Sequence, residues 1–416
     1  MIAARSLLAT VCAVLIGVPP LSAQAFTIRS VVEAGQPAPG GGNFEHFSIE
    51  SLPIMAPLNG KRQVAFFATI LRGPGSEGIF LGTPSGITRV AVEGDRAPGG
   101  GTISGFGRHP IPAINDAGTV AFAAAITSGK TVEGIFTASR GRLQAVAVAG
   151  GAAPGILSGT FANLDAPALN DRGDLAFLAT VRRGRETVEA VYVRARGKLA
   201  KIAAQGDPAP AGGLFAGFGP PAIDATGAVA FVAVVEGRAV PGGIFRVRDG
   251  QTKMLVGAGD DTPLGGIYLK FSERVAVNDA GLVAFHAVLK NASAPAAILV
   301  AEPSRVRKIA AIGDPAPGGG SLSHFGPWPA MNAQGTVAFA ASVDAGPSPV
   351  AVFVTSAAGT ATAAAIGDSL PGGKTLATLT LYPVVAVGPG DAVTFAAAPT
   401  PTGEGAEGIY LAAPSR

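Results

Sequence analysis

The residues best suited to acid–base chemistry in this chain are its four histidines, His46, His109, His286 and His324. No two stand at the spacing that puts a ligand pair on one helix or strand face, so no metal site is expected from them. His286 directly follows Phe285 inside an apolar run and reads as a core or interface residue. His46 and His324 adjoin the aromatics Phe47 and Phe325, and His109 follows Phe106 in an equivalent stretch. Such stretches also carry Glu45, Glu50, Asp165, Lys270 and Tyr382. If the three histidines converged with Glu45 or Glu273, they could serve as acid and base in a lyase or hydrolase acting on a sugar or ester. The same stretches hold Arg108, Arg274 and the single tryptophan, Trp328. Together His46, Arg108, His109, Glu273, Arg274, His324 and Trp328 form the candidate binding set. Nucleophilic catalysis lacks its parts: the sole cysteine is Cys12, near the N-terminus, and no Gly-x-Ser-x-Gly elbow occurs.

Acidic residues recur as well. Gly-Asp pairs stand at Gly94-Asp95, Gly206-Asp207, Gly259-Asp260, Gly313-Asp314 and Gly367-Asp368. Calcium takes six to eight oxygens, usually from clustered carboxylates, and each of these segments offers one Asp. A local turn bond is the expected role. Glycine runs such as Pro98-Gly99-Gly100-Gly101 lack the Lys-Ser/Thr of a phosphate loop, so no nucleotide cofactor is expected.

These residues are set in a repeat. The Gly-Asp segments, with degenerate copies at Gly35-Gln36 and Gly150-Gly151, recur at a near-constant step of about 55 residues. A second marker, Asn-x-x-Gly-x-x-Ala-Phe, runs from Asn115 to Phe122, Asn170 to Phe177, Asn278 to Phe285 and Asn332 to Phe339. Asp224 replaces the Asn in the copy ending at Phe231, Arg62 replaces the Gly before Phe66, and the copy ending at Phe395 has Gly388 and Asp391. A third marker follows at Phe80, Phe136, Tyr192, Phe245, Leu299, Phe353 and Tyr410.

Asn and Gly three residues apart suit a tight turn, with the Asn side chain bonding its own backbone and Gly free to take positive φ. The apolar run Thr119 to Ile126 behind it suits a strand buried on both faces. Each unit therefore reads as a four-stranded meander joined to the next by a Gly-Asp-x-x-Pro connector. Such thin sheets bury both faces only by stacking radially. The segment Phe26 to Val32 aligns with fourth strands, and the unit ending at Tyr410 lacks one. The expectation is an all-β chain, a seven-bladed β-propeller of four-stranded antiparallel blades whose last blade is closed by the N-terminal strand.

The second marker, as in Asn115-Asp116-Ala117-Gly118-Thr119-Val120-Ala121-Phe122, resembles the tandem NxxGxxAF-repeat family of exported bacterial proteins. The resemblance covers nearly the whole chain after the N-terminal segment. It implies a propeller-like repeat architecture and no assigned activity. Members often carry C-terminal surface anchors; this chain ends at Pro414-Ser415-Arg416, and a free protein is expected instead.

Arg5, the apolar stretch Ser6 to Val18 and Ala23-Gln24-Ala25 read as a secretory signal over residues 1–25, leaving 26–416 as one propeller domain. The apolar stretch is too short for a membrane span of ~20 residues. Hydrophobic residues make up 48% of the chain and charged residues 14%, and Gly and Pro interrupt every later apolar run, so no transmembrane segment is expected after the signal. With a net charge of +3 and one basic cluster, Arg182-Arg183-Gly184-Arg185, nucleic acid is not an expected partner. The reading is an exported monomer, periplasmic or extracellular, that binds or scaffolds a protein, glycan or cell-envelope component. The enzyme above is the alternative.

Overall fold

The computed structural model describes residues 25–47, 55–107, 109–210, 212–237, 241–379, 384–400 and 407–415. Residues 1–24 of the expected signal, together with Glu50, Arg108 and Tyr382, lie outside the described residues. The chain is all-β, with seven four-stranded antiparallel blades in a propeller ring. Among the described residues the helical turns are the single-turn segments Pro371–Gly373 and Pro389–Asp391.

Blade 2 shows the pattern. Its second strand, Val120–Thr127, pairs with Glu133–Ser139, which pairs with the outermost strand Arg142–Val148. The second and third sequence markers are direct cross-strand partners: Phe122 faces Phe136, Phe177 faces Tyr192, Phe231 faces Phe245, and Phe395 faces Tyr410. Their rings lie about 6 Å apart, as at Phe122–Phe136 (6.1 Å) and Phe395–Tyr410 (6.0 Å). Such pairs fix the register of the two central strands.

The Ala-Phe dipeptide has a packing reason. Successive side chains on a strand point to opposite faces. Phe122 packs into the interface with blade 1, while Ala121 faces blade 3. Likewise Phe177 joins the blade 2–3 cluster and Ala176 the blade 3–4 cluster. Each interface thus sets a large ring from one blade against a small residue of its neighbour. Seven such clusters, each shared by two adjacent blades, make up the core of the described residues. No single interior has to grow with chain length.

The ring closes as the alignment of the termini requires. Phe26–Glu33 pairs antiparallel with Gly408–Pro414, from Phe26 opposite Pro414 to Glu33 opposite Gly408. Gly408–Pro414 pairs in turn with Val393–Ala398, so blade 7 takes its outermost strand from the chain's beginning.

The Asn-x-x-Gly turns do more than reverse the chain. Asn170 Oδ1 accepts from the N–H of Arg172 (3.1 Å) and Asp174 (2.9 Å), closing its own turn. Its Nδ2 donates to the Asp224 carbonyl of the next blade (2.8 Å). Asn59 donates to Asn115 O, Asn115 to Asn170 O, and Asn332 to Gly388 O in the same direction around the ring. Gly118, Gly173 and Gly335 hold positive φ at the turn, and where the sequence departs, Arg62 (φ 57°) and Asp391 (φ 58°) hold it without glycine.

In each Gly-Asp connector one carboxylate oxygen accepts the N–H three residues back. The distances are 2.8 Å for Asp95 to Val92, Asp207 to Ala204, Asp314 to Ala311 and Asp368 to Ala365, and 2.7 Å for Asp260 to Gly257. These carboxylates therefore end the fourth strands locally.

Asn170 is only 5% exposed and its side chain makes four hydrogen bonds, so Asn170→Ala strands a buried carbonyl of blade 4 and two N–H groups of its own turn. A loss of about 2–4 kcal/mol is expected, read as a lower urea midpoint at unchanged m-value. Asn170→Asp keeps the turn acceptor but loses both Nδ2 bonds and turns a carboxylate toward the Asp224 carbonyl and the Asp174 carboxylate. It should also be destabilised at neutral pH and recover in part on acidification.

Candidate functional site

The innermost strand of most blades is broken. In blade 2, Thr102–Gly105 and Ala113–Ile114 both pair with Val120–Thr127. Between Gly105, opposite Ala125, and Ala113, opposite Ala121, the described residues 106–107 and 109–112 leave the ladder. Blades 3 to 6 repeat this break. The released segments and the short inner strands behind them line a central channel. Proline fits there because the inner edge of a blade has no further strand to bond. Pro112-Ala113-Ile114, Pro167-Ala168-Leu169, Pro221-Ala222-Ile223 and Pro329-Ala330-Met331 supply much of the wall.

The channel has two vestibules. One, of about 260 Å³, lies at the Asn turns and is lined by their Asn and Asp residues. The other, of about 270 Å³, lies on the connector side and is lined by prolines and aliphatic residues, with Arg274 and Trp328. One aliphatic side chain per blade, from Leu58, Ile114 and Leu169 round to Met331 and Val387, borders both and separates them.

The candidate residues divide into two groups. Arg274 and Trp328 meet at the connector-side vestibule, the guanidinium carbon 5.3 Å from the indole centroid. Trp328 is 6% exposed. Burial pulls the Arg274 pKa below the ordinary arginine value, while the charges of Asp165 and Glu273 push it back up. His109 Nδ1 lies 3.0 Å from Asp165 Oδ1, which also accepts the Ala166 N–H (2.7 Å). Arg274, Trp328, Asp165 and His109 are thus related through contact or field across blades 5, 6, 3 and 2. Glu273 is exposed next to Arg274, and its backbone carbonyl lies against Gly219 of blade 4.

The other two histidines are elsewhere. His46 Nδ1 lies 3.9 Å from Glu407 Oε2 at the junction of blades 1 and 7. His324 is exposed on the strand Ser321–Phe325. The three histidines do not converge on one carboxylate. His286 is half-buried between blades 5 and 6, its ring 5.7 Å from Phe325, and burial lowers its pKa.

A set of glutamates did not emerge from the sequence reading. Glu77 Oε1 accepts the N–H of Phe106 in the next blade (3.0 Å), Glu189 Oε2 that of Phe218 (3.1 Å), and Glu407 Oε2 that of Phe47 (2.9 Å). Glu133 does the same for Leu164. Each clasps the released inner segment of its neighbour. Their signal was present as Glu-Gly-Ile-Phe at 77–80 and 133–136 and Glu-Gly-Ile-Tyr at 407–410, just ahead of the third marker. Gly242, Ala296 and Val350 stand at the position in blades 4, 5 and 6.

Fold and channel define a seven-bladed β-propeller with an apolar, proline-lined axial mouth. The chain belongs to a family of unknown function, DUF7453, matched over residues 21–131, 104–297 and 291–416. No curated protein matches it. Among solved structures it is similar to an oligogalacturonate lyase in complex with manganese, with TM-score 0.52, 11% identity, and coverage of 95% of this chain and 97% of that one. TolB from Acinetobacter baumannii matches with TM-score 0.36, 13% identity, and 72% and 64% coverage. A gluconolactonase from Xanthomonas campestris matches with TM-score 0.34, 12% identity, and 84% and 90% coverage. At these identities the likeness to the lyase speaks for the fold alone.

Burial, partly offset by the clasped N–H, raises the pKa of Glu77 and of Glu133 above 4.5. A carboxyl whose folded pKa is raised contributes most below its unfolded value, and that contribution fades as pH rises through the folded value. Glu77→Gln keeps an acceptor for Phe106 N–H without a buried charge. It should be at least as stable as wild type at neutral pH and gain less on mild acidification. Glu77→Ala leaves the N–H unpaired and should lose about 1–3 kcal/mol. Urea midpoints at both pH values check this, and equal losses in the two variants would contradict the clasp.

Proposed function

We propose that this chain is an exported binding propeller that engages a cell-envelope partner through the connector-side mouth of its channel. Residues 1–25 act as the secretory signal, residues 26–416 form one monomeric propeller domain, and the protein works in the periplasm or outside the cell. The seven-fold NxxGxxAF register supports its place among the tandem NxxGxxAF-repeat proteins, within the broader family that the chain matches. One observation carries the binding reading: the side chains that break the repeat, Arg274 and Trp328, gather at one mouth while the three histidines stay apart. Irregular residues on a regular scaffold are where recognition is grafted.

A second reading has one observation in its favour. His109 and Asp165, 3.0 Å apart, form a dyad that could move a proton. No second acid or base bonds that dyad among the described residues; Glu133, which feels the Asp165 charge, is engaged by the Leu164 N–H.

The test compares purified wild type with Arg274→Met and His109→Asn. Each is immobilised and washed with solubilised envelope extract, and each is assayed in solution against a panel of glycosides, uronides and esters. The binding reading expects a component retained by wild type and His109→Asn, lost with Arg274→Met, and no turnover. Turnover that disappears in His109→Asn would establish the enzyme reading in its place.

A further inference from the structure

Some cations elsewhere on this propeller are answered by nearby carboxylates. Lys201 pairs with Asp207, Arg246 with Asp224, Arg305 with Glu302 and Lys308 with Asp314. Arg274 is different. Among the described residues its guanidinium makes no ion pair and no hydrogen bond, and its Nε is shut away from water without an acceptor. The Trp328 indole N–H, also shut away, has no acceptor either. Asp165 and Glu273 act on Arg274 through their field but do not bond it, and Asp165 is already occupied by His109 and Ala166 N–H. Buried donors in folded proteins are normally matched, and both residues line the vestibule, where an incoming acceptor would meet a guanidinium with no carboxylate of its own.

The surroundings narrow that acceptor. Away from Arg274 and Trp328 the vestibule is walled by Pro112, Pro167, Pro220, Ala222 and Ala330 among other apolar residues, and its volume is about 270 Å³. That holds a small organic molecule and suits an apolar body. One guanidinium offers a planar fork matched to a carboxylate. A phosphate dianion would want more donors and would feel Asp165 and Glu273 more strongly. Trp328 sits between Pro327 and Pro329, which stiffen its backbone and set the ring in advance of binding.

We propose that the connector-side vestibule binds a small carboxylate with an apolar body, the carboxylate on Arg274 and the body against Trp328 and the proline wall. This rests on the binding reading above and gives its mouth a ligand chemistry.

The protein reports on this site by itself, because Trp328 is its single tryptophan. The intact chain is titrated with hexanoate, hexanamide, acetate and inorganic phosphate. Tryptophan emission is followed, with calorimetry as a readout independent of the ring. Hexanoate should give a saturable response, with hexanamide and acetate each at least tenfold weaker, a difference of about 1.4 kcal/mol. Arg274→Met, which keeps the bulk against Trp328, should erase the preference of hexanoate over hexanamide. Asp165→Asn, which removes a nearby negative charge, should tighten hexanoate. Unchanged melting confirms that each variant is folded. The proposal is overturned by no saturable response in either readout, by hexanamide binding as well as hexanoate, by phosphate binding more tightly, or by Arg274→Met keeping the preference. An envelope partner retained without any hexanoate response sinks this assignment alone. Hexanoate binding with no retained partner sinks the partner reading and leaves the pocket standing.

Discussion

The ring depends on a side-chain amide that works in two directions at once. In a typical blade the Asn oxygen closes its own turn and the nitrogen reaches the next blade's backbone. The same residue therefore sets local geometry and blade spacing. Its burial makes the bond obligatory, because an unmatched amide there would cost more than the bond contributes. Where the Asn is absent, other groups take over. Asp224 has no amide to donate. It is held instead by Arg246 Nη2 (2.7 Å), whose guanidinium lies against Gly281 of the following turn. Gly388 has no side chain at all. There Thr394 Oγ1 of blade 7 donates to Ala56 O of blade 1, and Asp391 receives Thr336 Oγ1 of blade 6.

Much of this architecture could be read from residue types. Phe in every repeat, an aromatic or Leu opposite it, and Ala beside it encode the large-against-small packing of adjacent blades. The first segment aligned with fourth strands, and Phe26–Glu33 fills that position in blade 7. The turn chemistry of Asn-x-x-Gly was also legible, because it is local. What lay across a blade boundary was not. The nitrogen end of the Asn amide acts on a neighbour more than fifty residues away in sequence, and the Glu77 clasp on one 29 residues away. A motif shows which bonds a residue can make, while the partner is fixed only once the sheets have stacked. The candidate set suffered for the same reason. Arg274 and Trp328 come together, but nothing in spacing alone could separate them from His46 and His324.

The clasps are unevenly distributed. Those of Glu407, Glu77, Glu133 and Glu189 bind the released inner segments of blades 1, 2, 3 and 4 in succession. The next three blades receive none, since Gly242, Ala296 and Val350 precede them. Arg274 and Trp328 belong to blades 5 and 6, within that unclasped arc. Their segments are held by bonds within their own blades, Ser272 N–H to His286 O (3.0 Å) and Gly326 N–H to Ala340 O (2.8 Å). One side of the mouth is thus clasped by glutamates of neighbouring blades, and the side bearing the open donors is not; there His286 of blade 5 bonds the Pro327 backbone of blade 6 instead.

The break in the inner strand explains why irregular residues can accumulate there. A residue inside a ladder must alternate faces and meet a neighbouring blade, so its size is dictated on both sides. Although Phe106 at the start of its segment packs between blades 1 and 2, the later residues, such as Pro112 and its counterparts, have left the ladder and border the channel. Their side chains can differ from blade to blade without disturbing the interfaces that hold the ring. The scaffold therefore separates two demands. Ala, Phe and Asn satisfy closure in the sheets and turns, while the released segments carry histidine, tryptophan, arginine or aspartate around an axis whose geometry the rest of the ring has already set.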